Sequence, residues 1–170
     1  MKVIISGSRL YTDRDFLFKE CLSIISKLQY DYEIPLSEVE ILSGHNPNGA
    51  DYFGEKFANA YKVKLKLFPA DWNDIATPPL FIKYNNFGPY NAMAGTIRNE
   101  RMAQYATEND FGVLIAFSVD KSPGTKNMVS LAKKYGMKIF LYEFTNKSGI
   151  LTRKVSKKKA TWLYCYPVGN

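Results

Sequence analysis

The chain alternates short apolar runs with longer amphipathic stretches. Val3-Ile4-Ile5 is continuous and ends at Gly7, which predicts a strand over Lys2–Ser6 buried on both faces of a parallel sheet. Asp13 or Thr12 can cap the segment that follows, where Phe16, Leu17, Cys21, Leu22, Ile24, Ile25 and Leu28 keep helical spacing over 14–29. Val39–Leu42 predicts a second strand, running into Ser43-Gly44, and a helix over 50–61 opens at Gly49-Ala50-Asp51. In Lys62–Phe68 the apolar residues Val63, Leu65 and Leu67 alternate with lysines, the pattern of an edge strand with one wet face. A helix over 95–108, an apolar strand Phe111–Phe117, a helix over 125–135 and a strand Lys138–Tyr142 complete the alternation. Strand–helix alternation with short turns predicts an α/β, Rossmann-like three-layer domain with a five-stranded, mainly parallel sheet.

Two segments depart from this rhythm. Residues 69–94 carry Pro69, Pro78, Pro79 and Pro89 among Trp72, Phe81, Tyr84, Phe87 and Tyr90. The prolines predict a long irregular loop, and the aromatics favour an ordered lid over a tether. Residues 146–170 read as an appendage to a domain spanning 1–145. There Ile150–Val155 and Thr161–Tyr166 are β-prone and flank Lys157-Lys158-Lys159, which predicts a C-terminal β-hairpin with a basic turn, able to extend the sheet or cover an edge.

Charge sharpens that division. The 170 residues hold 23 Lys and Arg against 16 Asp and Glu, a net of +7. No acid follows Glu143, so the last 25 residues carry +6 and residues 1–145 only +1. A basic tail invites a nucleic-acid reading, but the near-neutral body places that reading last. No apolar run approaches the ~20 residues of a membrane span, and the N-terminal run is too short for a secretory signal. A cytoplasmic protein without membrane contact is expected. Two cysteines and one histidine, His45, leave no zinc cluster, and neither a metal nor a cofactor is expected.

In open α/β sheets ligands bind at the carboxyl ends of the strands, where helix N-termini favour anions. Four turns have that character: Ser6-Gly7-Ser8-Arg9, Ser43-Gly44 with Gly49-Ala50-Asp51, Gly95-Thr96-Ile97-Arg98-Asn99, and Ser122-Pro123-Gly124-Thr125. Each supplies a glycine for close backbone approach and a hydroxyl or Arg for a phosphate or ribose. Gly7, Ser8, Arg9, Ser43, Gly44, Asp51, Arg98, Asn99, Gly124 and Thr125 are therefore the candidate ligand-binding residues. Each has a plainer role open to it. Asp51 and Thr125 can cap helices, Arg9 can be a surface residue, Trp72 can be core rather than a stacking platform, and His45 can be a loop residue rather than a general base. Neither a complete Gly-x-Gly-x-x-Gly fingerprint nor a Walker A lysine motif is present.

These turns, with Pro69-Ala70-Asp71-Trp72, Met102 and Lys126-Asn127-Met128, occur in an order that resembles the YspA-type branch of the SLOG superfamily. These are Rossmann-like domains common in bacteria and phages. The resemblance covers about residues 1–143 and leaves the tail outside. It implies a nucleotide or nucleotide-derived ligand, sensed or sequestered. The superfamily includes the LOG phosphoribohydrolases and the DNA-processing protein DprA. LOG enzymes carry Arg-Lys-x-x-Met, and here Arg98-Asn99-Glu100-Arg101-Met102 keeps Arg and Met but has Asn for Lys. Where LOG enzymes place a catalytic Glu after Gly-Thr, this chain has Met128. A thioether cannot transfer a proton, so the resemblance favours binding over LOG-type hydrolysis. A hydrolase acting on an N-glycosidic or phosphoester bond would need Asp51 or Glu100 as its carboxylate. A DprA-like nucleic-acid module using the tail is the third reading. Related domains often pair through helices, so a homo-oligomer stays open.

Overall fold

The computed structural model describes residues 1–154. The predicted alternation is present. It runs β1 (Lys2–Gly7), α1 (Arg14–Tyr32), β2 (Glu40–Ser43), α2 (Gly49–Ala60), β3 (Lys64–Leu67), β4 (Ile82–Asn85), β5 (Gly88–Asn91), α3 (Ala94–Thr107), β6 (Gly112–Val119), α4 (Pro123–Lys134), β7 (Lys138–Lys147) and β8 (Ile150–Arg153). Six strands form one sheet in the order β3-β2-β1-β6-β7-β8. The first five are mutually parallel and β8 returns antiparallel to β7.

Burial follows from position in that order. β1 and β6 are central, and all eight residues of β6 are buried. The period of two sends Val3 and Ile5 into one core and Ile4 into the other. The first core takes Leu17, Cys21, Ile25 and Leu28 of α1 with Phe57 and Ala58 of α2. The second takes Met102, Ala103 and Ala106 of α3 with Met128, Leu131 and Ala132 of α4. This is the three-layer arrangement. β3 lies at the sheet's edge, as its lysine alternation predicts.

Helix α1 starts at Asp13, whose carboxylate accepts the Phe16 N–H at 3.0 Å. It runs three residues past the predicted end and stops at Glu33, which adopts a left-handed conformation and donates its N–H to the Gln29 carbonyl. Pro35 then blocks any continuation.

Residues 69–94 are more regular than their prolines suggest. β4 and β5 pair as an antiparallel hairpin across Asn86-Phe87, with Gly88 at φ +115 after the turn. Its aromatics are not what orders it, because Tyr84 and Phe87 face solvent. The order comes from Asn91, which is buried. Its side chain accepts from the Phe81 and Met93 N–H groups and donates to the Pro79 carbonyl, while its own N–H bonds the Trp72 carbonyl. The first arm of the predicted C-terminal hairpin, as Ile150–Arg153, pairs with β7 and extends the sheet, one of the two placements open to it. The Lys157–Lys159 turn and the arm Thr161–Tyr166 lie outside the described residues.

Helix α2 packs on β1 through Gly54. A Cβ there would stand 2.8 Å from Ile5 Cγ2 and 2.9 Å from Ile5 Cβ. Alanine is worth about 1 kcal/mol over glycine in a helix, but the β-branched Ile5 side chain is stiff and cannot swing away. Overpacking of this kind costs ~1–3 kcal/mol. Gly54→Ala is therefore expected to lower the urea midpoint despite its better helix propensity. A raised midpoint would mean that α2 rides further from β1.

Candidate functional site

The strand order reverses between β1 and β6, since the chain leaves β1 for β2 on one side and reaches β6 on the other. Loops leaving the carboxyl ends of these strands diverge at such a point and leave a crevice. A cleft of about 550 Å³ opens there. Its walls are Ser6 to Leu10 after β1, Val119 and Asp120 after β6, the N-terminal turns of α3 and α4, and Trp72.

The floor is a connected set of polar contacts. Asp51, the third residue of α2, is nearly fully buried. Its Oδ1 accepts the Gly7 N–H at 3.3 Å, and Arg98 Nη1 lies 4.0 Å from its Oδ2. The same Nη1 donates to the Gly44 carbonyl, and Arg98 Nε donates to Asn99 Oδ1 at 2.9 Å. Asn99 Nδ2 in turn donates to Asn127 Oδ1 at 2.8 Å. Contacts therefore run from the end of β1, through α2 and α3, to α4.

Burial sets the electrostatics of this floor. It pushes the Asp51 carboxyl up to about 6, against the opposing pull of Arg98 and of the Gly7 and Asn46 N–H groups. Burial also lowers the Arg98 guanidinium from its ordinary value, Asp51 partly restores it, and Arg9 lowers it further. That last effect means the two guanidinium charges feel one another. Arg9 itself is exposed and has no hydrogen bond or ion pair with the described residues. Arg98 Nη2 likewise has no protein acceptor among them.

The turns supply the remaining donors. Pro123 opens α4, and the N–H groups of Gly124 and Thr125 belong to its first turn, which has no intrahelical acceptors. A Cβ on Gly124 would meet nothing within 4 Å, so its missing side chain leaves open space in the cleft wall. Gly7 is different. A Cβ there would collide with the Phe117 carbonyl and stand 2.8 Å from Ala50 Cβ, so glycine is what lets β1 close on β6 and α2.

The structure brings Gly7, Ser8, Arg9, Asp51, Arg98, Asn99 and Gly124 to this cleft. Gly44 borders an adjoining hollow that shares Arg9 and Arg98. Ser43 is buried behind it, donating to Glu55 Oε1 at 2.8 Å. Thr125 is buried beneath the α4 turn, and its hydroxyl has no hydrogen-bond partner among the described residues. Glu100 stands elsewhere, held by Lys134 Nζ at 2.8 Å and by the Tyr135 hydroxyl. Arg98 falls in the second turn of α3, because the helix starts at Ala94. Trp72 is not core. It is 39% exposed and lies over the start of α3, with Cη2 3.3 Å from where a Gly95 Cβ would be. Asn46 and Asp120 also line the cleft and were not singled out by the motifs, and Asn127, which lay within one, was not among the candidate ligand-binding residues. The pairing of Asn127 with Asn99 is the signal that a polar residue one turn into α4 offered. Among the described residues no helix is long and apolar enough to cross a membrane.

The raised Asp51 carboxyl makes a signed prediction. Below about pH 4 it is protonated both folded and unfolded. Above about pH 6 it is ionised in both, and only the folded protein bears the cost of burying the charge. Its contribution to stability therefore falls as pH rises between those limits. Asp51→Asn removes the titration, so the variant should gain on the parent from pH 4 to pH 7.5 by roughly 1–3 kcal/mol. Urea unfolding at the two pH values measures this, and parallel profiles would show that Asp51 ionises as in the unfolded chain.

No curated protein matches the chain. The resemblance read from the motifs holds over residues 1–74, which match the model of the YspA, cpYpsA-related SLOG family (YAcAr) and supply Gly7, Ser8, Arg9 and Asp51 to the cleft.

Proposed function

We infer that the protein binds a nucleotide or nucleotide-derived small molecule in the switch-point cleft, to sense or sequester it. SLOG membership over residues 1–74 suggests a nucleotide-related function for a Rossmann-like fold. The observation that carries the reading is that Arg9, which has no hydrogen bond or ion pair among the described residues, lines the same cleft as the largely buried Arg98. Two cations lining one cleft repel unless an anion joins them. Arg9 receives a phosphate from solvent with Arg98 behind it, and the first turn of α4 adds N–H donors and its positive end. Trp72 offers an aromatic face at the cleft wall for a base.

Binding without cleavage is favoured by Met128. It stands where LOG enzymes place their Glu, and it is fully buried in the second core. Glu100, the other candidate carboxylate, is engaged by Lys134 and Tyr135 outside the cleft. Asp51 is committed to Gly7 and Arg98.

Calorimetry with AMP tests the reading. Saturable binding is expected, and Arg9→Ala should weaken it about tenfold or more, since hydrogen bonds to charged groups are worth ~1.5–3 kcal/mol. Chromatography after long incubation should recover the AMP intact. No heat with any of AMP, ADP or UMP, or affinity unchanged in Arg9→Ala, would overturn the proposal, and released base or phosphate would make the protein a hydrolase.

A further inference from the structure

The adjoining hollow, of about 350 Å³, is not a separate feature of the surface. It shares Arg9, Asn46, Trp72 and Arg98 with the main cleft, so these four residues form the divide between two lobes. Each lobe falls in the range of ~300–1,000 Å³ usual for small-ligand sites. A nucleoside monophosphate can be accommodated in the larger lobe and leaves the smaller one unused.

The chemistry of the two lobes differs. The divide is cationic, with Arg9 unpaired and Arg98 Nη2 lacking a protein acceptor among the described residues. The smaller lobe adds His45, Pro47, Asn48, Pro69 and Ala70, and contributes no charged side chain beyond the shared arginines. Its polar groups are side-chain amides, backbone and an imidazole. His45 is held at φ +54, a left-handed conformation unfavourable for a residue with a side chain. Its ring is fixed by Glu55, with Nδ1 3.1 Å from Oε1, and the same oxygen accepts from Ser43. This wall is therefore shaped by its own contacts, and its groups suit hydroxyls rather than a phosphate.

Resting on the nucleotide reading, we propose that the ligand is bipartite: a nucleotide whose diphosphate lies at the Arg9–Arg98 divide and carries a second, uncharged polar arm, such as a sugar, into the smaller lobe. Two guanidiniums match the two negative charges of a diphosphate diester better than the single charge of a phosphodiester. The nucleoside occupies the larger lobe beside Trp72, and the second arm bonds Asn48 and its neighbours.

Calorimetry with AMP and UMP against ADP-ribose and UDP-glucose tests this. The diphosphate sugars should bind at least tenfold tighter than the matching monophosphates. Ala70→Trp fills the smaller lobe, and it should weaken the diphosphate sugars at least fivefold while leaving AMP and UMP within twofold. Pro69→Phe, at another wall position of that lobe, should do the same if Ala70→Trp does not fold. Monophosphates binding as tightly as the diphosphate sugars would overturn the bipartite ligand and leave the nucleotide reading standing. Equal losses for both classes in the filled-lobe variants would also overturn it. No binding of any of the four would remove the nucleotide reading and this proposal with it.

Discussion

The side chain of Arg98 is the constraint on which the site depends. It leaves α3 and crosses to the turn after β2, where it meets the Gly44 carbonyl and the Asp51 carboxylate. Those partners flank the side of the sheet remote from α4, whereas Asn99, which Arg98 also bonds, is tied to α4. One guanidinium thus links elements from both sides of the switch point. A half-satisfied buried network is costly, because in a low dielectric an unpaired charge loses its water without replacement. Removing Arg98 would leave Asp51 buried beside only N–H donors. Arg98 is therefore both cleft floor and structural tie, and Arg9 is the residue whose loss reports on ligand alone.

Much of the fold was legible because its signals are local. Val3-Ile4-Ile5 and the β6 run are apolar throughout because both faces of a central parallel strand are covered. The lysines of β3 mark an edge for the opposite reason. What was not legible rests on contacts between distant residues. The hairpin β4–β5 is hidden by its prolines, and its anchor is a single asparagine, Asn91, whose bonds reach Trp72, Pro79, Phe81 and Met93. That Ile150–Arg153 pairs with β7 settles between extending the sheet and covering an edge, a choice the β-prone pattern alone left open. The candidate site divides the same way. Gly7, Ser8 and Arg9 follow directly from their place after β1. The separation of Glu100 from Arg98 depends on which side of α3 faces α4, and Lys134 and Tyr135 settle that.

The position of Met128 bears on chemistry as well as on packing. Its fully buried thioether belongs to the core that joins α4 to Ile4 and Leu114. A carboxylate in its place would be surrounded by apolar side chains and would need the cleft to reach further under α4. The core beneath that helix is thus built for packing. The cationic groups of the cleft are Arg9 and Arg98, joined by the N–H groups of the α4 turn, hydroxyls such as Ser8 and Ser122, and two carboxylates. Asp51 takes the Gly7 N–H, and Asp120 accepts the Asn146 N–H at 3.2 Å. On the proposed reading these donors hold an anion, and neither carboxylate is left with both oxygens free.

Charge distribution separates this site from a polyanion surface. Six of the seven net positive charges lie beyond residue 145, and the body holds nearly equal numbers of each sign. Nucleic-acid affinity grows with the number of phosphates neutralised along a backbone, so it needs cations spread over an extended face. Here the positive groups of the cleft without an acceptor among the described residues are concentrated: Arg9, one face of Arg98 and a helix terminus share one concave site. Concave walls limit how much of a long backbone could approach Arg98, which is mostly buried at the floor. Such a geometry supports the proposed short anion, which can enter whole. The same reasoning makes the near neutrality of the body an asset, since it keeps attraction local to the cleft.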